Sequence, residues 1–203
     1  MLLEVRDNNP DMRKILQAVD VLRNGGLLIY PTDTIYGVGC DIYNKKAIER
    51  LCALKGISPK KANFSFICKD LSHLSKFAKS ISTPVFRVLN ANLPGPFTFI
   101  LQASKEVPKL IMRNKTTVGI RVPNNPICQL LLEEFGQPII STSLPEDDDI
   151  EEVVEPDVIH FKFEKQVDAM LSSGPGGVES STVVDCTSGD FDILRQGKGE
   201  LLT

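Results

Sequence analysis

Tyr30-Pro31-Thr32-Asp33-Thr34-Ile35-Tyr36-Gly37-Val38-Gly39-Cys40 is the stretch on which the reading of this chain turns. The apolar run Leu27-Leu28-Ile29-Tyr30 reads as a short buried strand that ends at Pro31. It leads directly into two threonines, an aspartate and two glycines. Hydroxyls at a strand end can donate to carboxylate or phosphate oxygens, and glycines let a ligand approach the backbone closely. The alternative is an ordinary turn, and the stretch alone leaves both readings open.

Upstream, Asn9-Pro10 reads as N-cap and first helical residue. Met12, Ile15, Leu16, Val19 and Leu22 recur at helical spacing, and Asn24-Gly25-Gly26 stops that helix. Downstream, Asn44 caps a second helix with Ala47, Ile48, Leu51 and Leu54 inward. Strand-like runs follow at 64–68, 97–101, 117–122, 138–142, 167–171, 182–184 and 191–194, and helical ones at 71–78, 84–90 and 127–135, the last closed by Gly136. This irregular alternation argues for a mixed sheet covered by helices, not a pure βαβ array. There is no internal repeat and no P-loop or G-x-G-x-x-G fingerprint.

The chain has 203 residues, 42% apolar and 24% charged, enough to bury a substantial core as one domain over 1–203. No run approaches eighteen apolar residues, so no membrane span or membrane partner is expected. The start lacks a basic flank followed by an apolar stretch, so a cytoplasmic location is expected. Five cysteines without a C-x-x-C pair read as free, buried thiols, and two distant histidines give no metal-site spacing. The net charge of −3 hides a strong asymmetry. Residues 146–157 (EDDDIEEVVEPD) carry eight acids and no base, leaving 18 acids against 23 bases, or +5, elsewhere. Such a run repels itself and reads as a solvated acidic loop, a lid or a partner-binding arm.

Six further segments repeat the character of the first. Lys55-Gly56-Ile57-Ser58-Pro59-Lys60-Lys61 is a plausible anion grip. Leu93-Pro94-Gly95-Pro96-Phe97-Thr98 reads mainly as a structural turn. Arg121, in Gly119-Ile120-Arg121-Val122-Pro123, is costly inside an apolar strand unless paired. It forms either an internal ion pair or a bidentate carboxylate site. Ser141-Thr142-Ser143, Ser180-Ser181-Thr182 and Leu194-Arg195-Gln196-Gly197 place more hydroxyls and a cation at strand ends. Together they describe a concave site for anionic ligands. No carboxylate pair or histidine is placed for general acid–base work.

In this order the motifs P-T-D-T-x-Y-G, P-G-P-x-T, R-x-P, S-T-S, S-T-x-x-D and L-R-x-G resemble the YrdC-like domain family, the threonylcarbamoyl-AMP synthase family. The Lys-Gly-Ile-Ser loop with Asn63-Phe64 looks closest to its YciO branch. The resemblance implies an α+β, three-layer α/β/α fold, with a twisted mixed sheet flanked by helices. It implies a cationic concave site for nucleotide (ATP or AMP) and for double-stranded RNA or tRNA, linked to RNA modification or maturation. The alternative it implies is L-threonylcarbamoyladenylate synthesis from L-threonine, bicarbonate and ATP for tRNA modification. That nucleotidyltransferase would use Mg²⁺ with ATP and no tightly bound cofactor.

Carried over by motif, Thr32 and Arg121 would bind threonine. Lys55, Ser143, Ser181 and Arg195 would bind nucleotide, with Lys55 as the catalytic cation, and no residue is assigned to a metal. Lys60, Lys61, Arg113 and Lys115 are the expected RNA contacts, by charge. Two positions depart from the synthases: Ile57 stands where they carry arginine, and Pro145 where they carry asparagine. Oligomeric state is left open.

Overall fold

A computed structural model describes residues 1–59, 62–109, 111–112, 115–144 and 154–203. The elements in order are β1 (Leu2–Glu4), α1 (Met12–Arg23), β2 (Leu28–Tyr30), β3 (Gly37–Asp41), α2 (Lys45–Leu54), β4 (Ser65–Ile67), α3 (Leu71–Phe77) and α4 (Thr83–Asn92). There follow β5 (Phe97–Gln102), β6 (Thr117–Arg121), α5 (Pro126–Phe135), β7 (Ile139–Ser143), α6 (Pro156–Phe163), β8 (Ala169–Ser172), β9 (Thr182–Asp185) and β10 (Asp192–Arg195). The ten described strands join one mixed sheet in the order β1-β8-β2-β3-β7-β4-β6-β5-β9-β10.

Side chains alternate across this sheet and build two apolar layers. On one face Ile29, Phe66, Phe99, Ile120 and Ile140 meet helices α2, α3, α4 and α6. On the other, Leu28, Tyr30, Ile67, Ile139 and Leu171 meet α1 and α5. The expected three-layer, helix-flanked mixed sheet is what the chain forms. Helices α1, α2, α3 and α5 start where short polar side chains take up free backbone N–H groups. Asn44 accepts from Ala47 N, Asp70 from His73 N and Asn125 from Cys128 N. The free cysteines Cys40, Cys52, Cys68, Cys128 and Cys186 are all buried. Among the described residues no helix is long and apolar enough to cross a membrane.

Four local readings change. The first helix is capped by Asp11, whose carboxylate accepts from Arg13 N, two residues beyond the expected cap Asn9. Leu16 and Met12 lie exposed, and Ala18 takes the inward position. Gly37–Asp41 is not the tail of a turn but a central strand, antiparallel to both β2 and β7. Asp157 and Pro156, the end of the acidic run, belong to α6, a helix the sequence pattern had not indicated. The rest of that run, 146–153, lies outside the described residues, as do Lys60, Lys61, Arg113 and Pro145.

Candidate active site

Helices α1 and α5 cover only part of their face of the sheet. Beyond Ile139 and Ile67, no helix among the described residues packs over β4, β5, β6 and β9 on this side, and there the alternating side chains turn small and polar. Ser65, Thr98, Thr117, Gly119, Ser141 and Ser143 form the floor of a cavity of about 460 Å³. Their neighbours Phe66, Phe99, Val118, Ile120 and Ile140 point into the opposite core. An uncovered sheet face must be wettable, which explains hydroxyls and glycine at every second position.

One cross-strand row carries the first polar cluster. Pairing sets Ile67 beside Arg121, and β5 sets Thr98 beside Val183, which faces Arg195 on β10. Arg121 donates from Nη2 to Asp33 Oδ1 and to Thr34 Oγ1, each at 3.0 Å. Its Nε is buried and has no hydrogen-bond partner. The pair is largely out of solvent, with side-chain exposures of 12% for Arg121 and 8% for Asp33. Asp33 Oδ2 also accepts from Asn124 N at 3.0 Å, and Lys198 Nζ donates to Asp33 O at 2.6 Å. The loop after β2 is thus pinned from two directions. Thr32 Oγ1 donates to Ile35 O at 2.8 Å and lies 3.0 Å from Thr34 Oγ1. Across the cavity, Ser181 Oγ lies 2.8 Å from Thr98 Oγ1. Arg195 folds back to donate to Ser181 O from Nη2 at 2.8 Å.

A second strap holds the same loop. Tyr36 OH donates to Gly174 O at 2.6 Å, and Gly177 N donates to Thr34 O at 2.8 Å. Burial raises the Tyr36 pKa above the ordinary tyrosine value, so the hydroxyl stays a donor. The approach is close enough that a Cβ on Gly177 would lie 2.6 Å from Thr34 O.

The second cluster sits at the other end of β6. Ser143 ends β7 and lines the cavity, and Lys55 Nζ donates to Leu144 O at 3.2 Å immediately beyond it. Lys115 Nζ donates to Asn63 Oδ1 at 2.6 Å and to Ala62 O. Lys115, Asn63 and Phe64 all line the cavity. Partial burial lowers the Lys115 pKa from its ordinary value.

The expected residues therefore converge to a large extent. Thr32, Arg121, Ser143, Ser181 and Arg195 line one cavity, whereas Lys55 is not among its lining residues and is bonded to Leu144 O, the carbonyl after Ser143. Lys115, expected at an RNA-facing surface, lines the same cavity. Sequence reasoning missed Ser65 and Thr98 as site residues, whose signal was the alternation of hydroxyls with apolar residues in the strands, and gave Asp33, quoted in the first stretch, no role of its own. Among the described residues no acidic side chain lines the cavity, and no three His, Cys, Asp or Glu converge as metal ligands. A divalent cation there would have to be held chiefly by ligand phosphates.

The sequence and the structure have known counterparts. The Sua5_yciO_yrdC family model, described as telomere recombination, matches residues 20–197. YciO of Escherichia coli K12, an uncharacterised protein, is 41% identical over 200 residues, covering 97% of this chain and 95% of its own. The threonylcarbamoyl-AMP synthase of Coxiella burnetii is 32% identical over 184 residues, covering 90% of this chain and 97% of its own. The crystal structure of E. coli YciO superposes with a TM-score of 0.90, at 39% identity over 98% of this chain and 97% of that one. P. abyssi Sua5, solved in complex with L-threonine, superposes with a TM-score of 0.85 at 26% identity, covering 97% of this chain and 57% of that longer one. With the matched residues spanning nearly the whole sheet and both polar clusters, the chain belongs to the Sua5–YciO–YrdC family.

Proposed function

We propose that the cavity binds an adenine nucleotide together with a small carboxylate, and that its cationic surroundings engage double-stranded RNA or tRNA. The observation that carries this reading is the lining itself: three cations, Lys115, Arg121 and Arg195, with a hydroxyl floor and no carboxylate among the described residues. Such a surface favours anions. Arg121, with its unpartnered Nε, and the Thr32–Thr34 hydroxyls suit a carboxylate such as that of threonine. Ser143, Lys55, Ser181 and Arg195 suit nucleotide phosphates or ribose. RNA contacts through Lys60, Lys61 and Arg113 are proposed on charge alone. Mg²⁺ would enter with ATP and contribute charge neutralisation at the phosphates.

The test is a ligand-dependent melting screen with ATP, AMP, L-threonine and duplex RNA. ATP and AMP should raise the melting temperature, and duplex affinity should fall steeply between low and moderate salt. A flat salt response removes the RNA part; no shift with any nucleotide removes the nucleotide part.

The 32% identity to a threonylcarbamoyl-AMP synthase favours a second reading, synthesis of threonylcarbamoyl-AMP from L-threonine, bicarbonate and ATP. In that reaction the carbamate on the threonine nitrogen attacks the α-phosphate, the bond to the β-phosphate breaks, and pyrophosphate leaves. Lys55 would offset the charge that builds there. The loop weighs against efficient turnover: Ile57, where the synthases carry arginine, packs half-buried against the apolar core and is absent from the cavity wall. Pyrophosphate release that requires all three substrates together would establish the second reading, and its absence leaves the first.

A further inference from the structure

We infer that Lys115 is the second phosphate-binding cation of this site, taking over at the far end of β6 the charge that Ile57 does not provide. This rests on the nucleotide reading above and extends it to a specific preference for di- and triphosphates over monophosphates.

The register places the residue. In the sheet, Ser65 pairs with Ser141 on β7 and with Gly119 on β6. Asn63 lies two residues before Ser65, and both line the cavity. Lys115 Nζ is bonded to the side chain of that same Asn63. Lys55, on the other side, is bonded to Leu144 O, the carbonyl next to Ser143. Ser143, Asn63 and Lys115 all line the cavity. Lys115 has three N–H donors; two are given to Ala62 O and Asn63 Oδ1, and the third has no partner among the described residues. Lys115 is partly buried, and an arriving phosphate oxygen would gain a charge-assisted bond from its ammonium.

Distance then separates the two ends of the ligand. Thr117 and Arg121 are four residues apart on one strand, about 13 Å. Between them the row of Ser141, Ser65 and Gly119 leaves the floor low. A Cβ on Gly119 would approach Thr98 and Ser65 at 3.3–3.4 Å, within this floor. A ligand whose carboxylate or ribose end rests near Arg121, Ser181 and Arg195 reaches Lys115 only if it extends beyond a first phosphate.

The experiment measures AMP, ADP and ATP affinity by calorimetry for the wild type, Lys115→Met, Lys115→Arg and Asn63→Ala. Lys115→Met should weaken ATP about ten- to hundredfold and leave AMP nearly unchanged, as loss of one charged hydrogen bond predicts. Lys115→Arg should restore most of the ATP preference. Asn63→Ala removes the anchor but keeps the charge, so its ATP-to-AMP ratio should stay close to wild type. If Lys115→Met weakens ATP and AMP by the same factor, or neither, or if Asn63→Ala mimics it, Lys115 only braces the wall and the inference is overturned. A wild type that binds none of the three overturns the nucleotide reading and this inference with it, whereas wild-type binding unaffected by Lys115→Met overturns this inference alone.

Discussion

Removal of the Asp33 carboxylate tests the architecture of the site most directly. In Asp33→Ala, Arg121 keeps only Thr34 Oγ1 as an acceptor, while its Nε is already without one. Asn124 N loses its partner as well. Breaking a buried ion pair by deleting one member costs about 3–5 kcal/mol. Arg121 lines the cavity and keeps 12% of its side chain exposed, so the lower end, about 3 kcal/mol, is expected. For a chain of this size that is a fall of roughly 6–12 °C in melting temperature. Urea denaturation should report a lower midpoint at an unchanged m-value. The double variant Asp33→Ala/Arg121→Ala should lose clearly less than the sum of the single losses, because the second deletion removes the stranded charge. Saturating anionic ligand should return part of the lost stability to Asp33→Ala, since the stranded guanidinium gains a counter-charge. A loss below about 0.5 kcal/mol, the range of exposed pairs, or strict additivity in the double variant, would refute the reasoning.

Four other outcomes follow from the structure. Gly177→Ala forces a Cβ to within 2.6 Å of Thr34 O, so the loop after β2 must shift; a stability loss of about 1–3 kcal/mol and weaker ligand binding are expected, by denaturation and calorimetry. Tyr36→Phe deletes the bond to Gly174 O and should cost about 1 kcal/mol, with faster amide exchange at Gly177 as the local readout. Burial pushes the Cys128 and Cys186 thiols up to about 12 from 9.0 and raises those of Cys40 and Cys68 too. The native state then holds protons that the unfolded state releases first. Stability should be fully present below pH 9 and decline as pH rises towards 12, in melting curves recorded across that range. A disulfide-exchange reagent at pH 8 should leave all five thiols unreacted until the protein unfolds.

Much of the fold was readable because local rules and tertiary packing agree. Asn44 caps α2, Gly136 closes α5 in the left-handed conformation, and the apolar runs at 97–101 and 117–122 are strands within one residue. The misses share a cause. Gly37–Asp41 carries two glycines, and strand propensity disfavours them. Neighbours on both sides decide in favour of a strand: Gly39 pairs with Leu28 and Ser141, and a Cβ on it would lie 2.6 Å from Ile140 O. Asp11 outcompetes Asn9 as cap because the inward stripe is Ile15, Ala18, Val19 and Leu22, a phase set by contact with α5. For Arg121 the structure shows the first alternative, the internal ion pair with Asp33, in a residue that also lines the cavity.

From the amino-acid order alone came the element types, the mixed sheet, and a set of hydroxyl and cationic strand ends whose order carries a family likeness. Each of these depends on near neighbours, on caps, periodicity and turn residues, and so is written locally. The tertiary structure alone decided which half of the sheet face stays uncovered. The same packing brought Asp33 to Arg121 across 88 positions, and placed Lys115 beside Asn63 across 52. Those relations arise from how α1 and α5 pack and how ten strands register, and chain separations of that size leave no imprint on local pattern.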